Sequence, residues 1–212
     1  MHNNSKINNL ILDFGGVIYQ ISHKKQMECF KGFGVKNFEY LYSQAIQNPL
    51  FGELEIGSVS NDDFMAELKK MLPGNISADK IGHAWNSILV GFSDNAVSLL
   101  KKLKKKYNLF LLSNTNAIHY NIYMPEFNQK YGYNFEELFA KAYWSFKIGL
   151  RKPGHEIFNY VLDDVGLIAG NCLFIDDSIQ NTVAADECGI KSIWLKPGLG
   201  LTDLFDDNLD LI

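Results

Sequence analysis

The chain has 212 residues, of which 47 % are hydrophobic and 21 % charged. These are the proportions of a soluble globular protein, with room for one sizeable core and a smaller insertion, and they exclude a disordered tail. The net charge of −4 lacks the surplus of Lys and Arg that nonspecific nucleic-acid binding requires.

The first nine residues are polar where a secretory signal is apolar, and no apolar run approaches the ~20 residues of a membrane span. A cytoplasmic protein with no membrane and no nucleic-acid partner is expected. The first buried parallel strand is read at 10–14, an apolar run closed by Asp13 and Phe14 and followed by Gly15-Gly16. From about 22 to 90 the pattern turns helical and offers no convincing strand. Ser60 and Asp63 have the spacing of a helix-opening cap, with Phe64, Leu68 and Leu72 on one face and Pro73-Gly74 as the stop.

Beyond 90, Val97, Leu100, Leu103 and Tyr107 recur at helical intervals, so the basic run at 101–106 is read as the solvated face of an amphipathic helix. Strands follow at 109–112, more weakly at 141–145, and at 172–175 and 192–195, with a helix through Ile157, Tyr160, Val161 and Val165. Strands that alternate with helices predict a parallel sheet covered on both faces. Cys29, Cys172 and Cys188 are odd in number and lack metal-ligand spacing, so free buried thiols are expected.

In such sheets ligands bind beyond the carboxyl ends of the strands. Taken in order, those ends carry Asp13, Ser113-Asn114, Lys152 with Pro153, and Asp176-Asp177. Each alone is an ordinary turn or cap residue. Together they suit phosphoryl transfer, in which a dianionic ester must be screened before a carboxylate can approach it. Asp13 and Asp177 offer oxygens to Mg²⁺, Ser113 can donate to a phosphoryl oxygen, and Lys152 offsets the remaining charge.

Four segments resemble the motifs of the haloacid dehalogenase-like hydrolases. They are Leu12-Asp13-Phe14-Gly15-Gly16-Val17, Leu112-Ser113-Asn114-Thr115, Arg151-Lys152-Pro153, and Phe174-Ile175-Asp176-Asp177 with Asn181 following. The resemblance implies an α/β fold: a Rossmann-like parallel sheet with helices on both faces, plus a helical cap inserted after the first strand. The core would occupy 1–20 and 91–212, and the cap 21–90. It further implies Asp13 as a nucleophile that forms an aspartyl-phosphate, with Ser113, Asn114 and Lys152 binding phosphate. Mg²⁺ would be held by Asp13, the Gly15 carbonyl and Asp177, with Asp176 as a direct or water-mediated ligand. The expected activity is hydrolysis of a small phosphorylated metabolite by a monomer or homodimer.

One position departs from the phosphatase pattern. The second residue after the nucleophile is usually an Asp that protonates the leaving group, and here it is Gly15. Either the leaving group is comparatively acidic, as in a sugar 1-phosphate, or a histidine such as His23 or His119 takes over. The first option agrees with a likeness of the opening motif, Ser113-Asn114-Thr115-Asn116 and His119 to the glucose-1-phosphatase branch. A haloacid dehalogenase-type hydrolase and a non-catalytic binding module on the same fold are the alternatives. The Asp176-Asp177 pair argues against the first, because adjacent carboxylates repel without a cation. Tyr19, Phe51, Glu53 and Trp85 are candidate cleft-wall residues.

Overall fold

The computed structural model describes residues 6–35 and 49–212. The polar start at 1–5 and part of the expected cap, 36–48, lie outside the described residues. Five parallel strands form the central sheet: β1 (Asn9–Leu12), β4 (Asn108–Ser113), β5 (Lys141–Trp144), β6 (Cys172–Asp176) and β7 (Lys191–Trp194), in the order β5-β4-β1-β6-β7. They start and end within two residues of the runs read from sequence. β1 is central, with Leu12 in register with Leu111 of β4 and with Ile175 of β6.

Strand alternation divides the apolar side chains between two faces. Leu10, Leu12, Leu109 and Leu111 pack on one side with an aromatic group that includes Phe14, Tyr123, Phe127 and Trp144. Ile11, Phe110, Leu112 and Phe174 pack on the other against Ile157, Phe158 and Val161. The covering helices include α5 (Asp94–Leu103), α6 (Ala117–Tyr131), α8 (His155–Asp164) and α9 (Ile179–Glu187). Tyr160 of α8 is exposed although it falls in the apolar pattern, since only three residues of that helix are needed to cover the sheet.

Between the first and second strands of the sheet lie α1 (His23–Lys31), α2 (Pro49–Glu55), α3 (Asn61–Met71) and α4 (Ala78–Asn86). They bury an apolar cluster of their own, centred on Phe30, Leu54, Phe64, Leu68, Ile81 and Trp85. The Ser60 hydroxyl caps α3 by accepting from Asp63 N at 3.1 Å. One feature differs from the sequence reading. β2 (Tyr19–Ile21) and β3 (Leu89–Phe92) pair antiparallel at the two ends of this helical segment. Both are short, β3 contains Gly91, and the partners are 68 to 73 residues apart, so no local pattern announces them.

Among the described residues no helix is long and apolar enough to cross a membrane. The three thiols are free, but only Cys172 is buried; Cys29 and Cys188 are half-buried.

Candidate active site

The parallel order brings the carboxyl ends of β1, β4 and β6 side by side, and the residues at those ends meet. Asp13 follows β1 and is held to β6 by a bond from its N–H to the Ile175 carbonyl at 2.9 Å. Asp176 closes β6 with no exposure at all, and Ser113 closes β4 at 1 % exposed. Lys152 enters from the loop after α7 (Ser145–Ile148) and is 1 % exposed.

The Lys152 ammonium has three hydrogens, and each has a partner: Asp13 Oδ1 at 2.7 Å, Asp176 Oδ2 at 2.6 Å and the Leu112 carbonyl at 2.8 Å. Burial opposes this charge, but Asp13 and Asp176 outweigh it and hold the Lys152 pKa above its usual value. Asp13 shows the converse. Burial, reinforced by Asp176 and Asp177, outweighs the pull of Lys152 and raises its carboxyl to about 7. Burial and Asp176 also push Asp177 upward.

Oxygens of Asp13, Asp176 and Asp177 lie within 4.8 Å of one another. Three carboxylates against one ammonium leave a surplus of two negative charges, which is the charge of one divalent cation. The oxygen-only donor set suits a hard ion such as Mg²⁺. The donors are not equally open. Asp176 accepts from Lys152, from Ser178 N at 2.7 Å and from Asn181 Nδ2 at both oxygens, so its lone pairs are taken. Asp177 is exposed and, with Asp13, is the freer ligand.

Gly16 explains how Asp177 comes so near the loop after β1. It has φ +77°, and a Cβ there would lie 2.0 Å from Asp177 Oδ2. Paired glycines after a strand are a sign of close backbone approach, and Gly16 rather than Gly15 is the member of this pair that the approach confines. Gly15 is less confined, since a Cβ on it would meet nothing nearer than Ile21 Cδ1 at 3.6 Å.

The Asn114 amide joins two segments of the site. Its Oδ1 accepts from Lys152 N at 2.9 Å and its Nδ2 donates to Lys152 O at 2.8 Å. The amide thereby clamps the lysine loop to the end of β4. The next two residues are likewise structural. Thr115 N donates to Ser145 Oγ at 2.9 Å, and Asn116 caps α6 by accepting from His119 N at 3.0 Å.

A cavity of about 190 Å³ opens beside Gly15 and Ser113 and runs between the sheet ends and helices α1, α2 and α4. Tyr19, Phe51, Trp85, His23 and His119 all line it. Glu53 is exposed and does not; the acid in the wall is Glu55, one helical turn after Phe51 on the same face of α2. Burial raises the Glu55 pKa against the effect of Arg151, whose Nε is 2.9 Å away. Burial pulls the His119 imidazole down to about 4, which keeps it neutral near pH 7 and removes it as a source of a readily donated proton.

The sequence from 7 to 189 matches the family described as haloacid dehalogenase-like hydrolase. The chain belongs to the haloacid dehalogenase-like hydrolase family. A D-ribitol-5-phosphate phosphatase of Bacteroides thetaiotaomicron is 29 % identical over 187 residues, covering 88 % of this chain and 90 % of the relative. A HAD family enzyme of the same species, solved in complex with magnesium and inorganic phosphate, superposes with a TM-score of 0.81 at 33 % identity, over 94 % of this chain and all of that one. A predicted HAD-like family hydrolase from Porphyromonas gingivalis gives a TM-score of 0.78 at 30 % identity, over 91 % and 93 % of the two chains. With the carboxylate cluster described above, this family member is a phosphoric monoester hydrolase with magnesium as its cofactor.

Proposed function

We propose that Asp13 is the nucleophile of a phosphatase acting on a small phosphorylated sugar or sugar alcohol. The observation that carries this reading is the Lys152 ammonium held between Asp13 and Asp176, with Asp177 alongside. Asp13 attacks phosphorus and the ester oxygen leaves, giving an aspartyl-phosphate; water then attacks that phosphorus and returns the free carboxylate. Lys152 fixes the Asp13 carboxylate in one orientation and offsets charge on the transferring group, while the Ser113 hydroxyl donates to a phosphoryl oxygen. Asn114 keeps Lys152 in place through its backbone.

Asp13, the Gly15 carbonyl and Asp177 are the residues that would hold Mg²⁺, with Asp176 acting through water because its own oxygens are occupied. The bound ion supplies screening of the phosphate dianion. The helical segment at 21–90 serves as the cap that walls the leaving-group side, with 1–20 and 91–212 as the core. Support for a polyol or sugar phosphate comes from the relative that acts on D-ribitol 5-phosphate. Within that class the absence of an acid at Gly15 favours a sugar 1-phosphate, whose anomeric oxygen departs with less help.

Magnesium-dependent phosphate release over a panel of sugar 1-phosphates, pentitol phosphates and simple alkyl phosphates tests the reading. Release should vanish in Asp13→Asn. Release that persists in Asp13→Asn overturns the nucleophile assignment, and faster cleavage of simple alkyl phosphates than of sugar 1-phosphates overturns the leaving-group assignment.

A further inference from the structure

The cavity beside Ser113 is bounded by Tyr19, Ile21 and Leu89 of the strand pair β2–β3 and by Phe51 and Glu55 of α2. The strand pair is where the chain passes between the core and the helical segment. Helix α2 lies in the middle of that segment, so contacts with the core, not chain connection, must hold it in place as a wall.

Three positions make a seam between α2 and the core. Glu55 Oε2 forms an ion pair with Arg151 Nε at 2.9 Å. Gly52 precedes Glu55 by one helical turn on the same face, and a Cβ there would lie 3.1 Å from Arg151 Nη1, so the guanidinium lies close against the helix backbone. Gly57, just past the end of α2, has φ +71°, and a Cβ on it would run into the Phe146 carbonyl of α7. Glycine at both points permits an approach that a side chain would block. The core side of the seam is firm. Arg151 precedes Lys152, whose N–H and carbonyl are both held by Asn114. Phe146 follows Ser145, which is wholly buried and whose hydroxyl accepts from Thr115 N and donates to the Thr115 carbonyl. Helix α2 thus rests on the same loops that present Lys152 and follow Ser113.

We infer that Arg151 and Glu55 are positioning residues whose ion pair clasps α2 to the lysine loop and holds the cavity shut around the leaving group. The inference rests on the phosphatase reading and deepens it. Burial disfavours the Glu55 charge, and Arg151 is the foremost group that offsets this. Removing either partner leaves the other charge at the seam without its counter-ion, which costs more than the absence of both. A leaving group long enough to reach α2 depends on the clasp for its wall. The phosphoryl group, held by Ser113 and Lys152 beside Asp13, does not.

The test compares kcat/KM of the magnesium-loaded full chain for a pentitol phosphate with that for acetyl phosphate, whose small leaving group ends short of α2. The ratio of the two, read in one preparation, is independent of how much of it is folded. Arg151→Gln and Glu55→Gln should each lower the ratio at least about fivefold, with acetyl phosphate turnover within about twofold of wild type. Arg151→Lys keeps the charge and should stay within about twofold of wild type for both substrates. The double variant Arg151→Gln/Glu55→Gln should fall no further than the lower single, because the two residues act as one pair. Gly57→Ala forces the seam apart without altering a charge; it should lower the ratio as well, and it decides the matter if the charge variants do not fold. A ratio in Arg151→Gln that matches wild type overturns the inference, as does a loss in Arg151→Lys equal to that in Arg151→Gln. Equal losses for both substrates overturn it too, since they place the pair's effect on the Lys152 loop and not on the wall. A wild-type chain that binds Mg²⁺ but releases phosphate from neither substrate refutes the phosphatase reading itself.

Discussion

An aspartate in place of Gly15 restores the proton donor that the family pattern puts two residues after the nucleophile. The backbone accepts it, because a Cβ at position 15 meets only Ile21 Cδ1 at 3.6 Å, an ordinary contact, and the glycine does not use the left-handed conformation. A general acid contributes typically ~10²–10⁴ in rate, or about 2.7–5.5 kcal/mol of barrier. The new side chain enters beside three carboxylates, whose repulsion takes part of that gain. The expected increase in kcat for a simple alkyl phosphate is therefore about 10- to 100-fold, with less than about a threefold change for a sugar 1-phosphate. Steady-state phosphate release at saturating Mg²⁺, compared between the two esters in wild type and Gly15→Asp, measures it. An alkyl phosphate rate that fails to rise, or equal gains for both esters, would show that the native chain already holds an effective donor and that Gly15 is no deficiency.

Gly16→Ala puts a Cβ 2.0 Å from Asp177 Oδ2 and in a left-handed conformation that costs about 1–2 kcal/mol; the Mg²⁺ concentration for half-maximal activity should rise at least about tenfold. Asn114→Ala removes both bonds that clamp the Lys152 backbone, so kcat should fall more than KM rises, with about 1–3 kcal/mol lost in urea unfolding. His119 has its pKa lowered from the ordinary 6.5 to about 4 by burial. A depressed pKa gives stability that is present above the unfolded value and lost as pH falls from 6.5 toward 4. Wild type should therefore lose stability over that window more steeply than His119→Phe, and parallel losses in urea unfolding at pH 7, 5.5 and 4.5 would count against it.

The three inner strands were legible because they are short apolar runs that end in polar residues, while the edge strands β5 and β7 carry Lys141, Lys191 and Ser192 and read more weakly. The same logic located Asp13, Ser113 and Asp176-Asp177 at strand ends and Lys152 in the loop that follows β5 and α7, and the parallel order then brings them together. What escaped were relationships between distant residues. Nothing near Tyr19 reveals that it pairs with Phe92, and nothing near Asn114 reveals that its amide serves the Lys152 backbone. Glu53 is the candidate read from sequence, but a step of two residues turns a side chain to the other side of a helix, so Glu53 faces solvent and Glu55 lines the cavity.

The separation between the sheet cores and the apolar cluster of the helical segment divides the enzyme's tolerance for change. The reactive carboxylates ride on the central strand and its neighbour, where local opening costs nearly as much as unfolding the whole sheet. Phe64 and Leu68 stand on α3 and are buried within the cluster of the helical segment, so residues there can be exchanged without touching Asp13 or Lys152. A chain built in this way can acquire a new substrate by altering one cluster while its phosphoryl-transfer chemistry, held by the other two, stays the same.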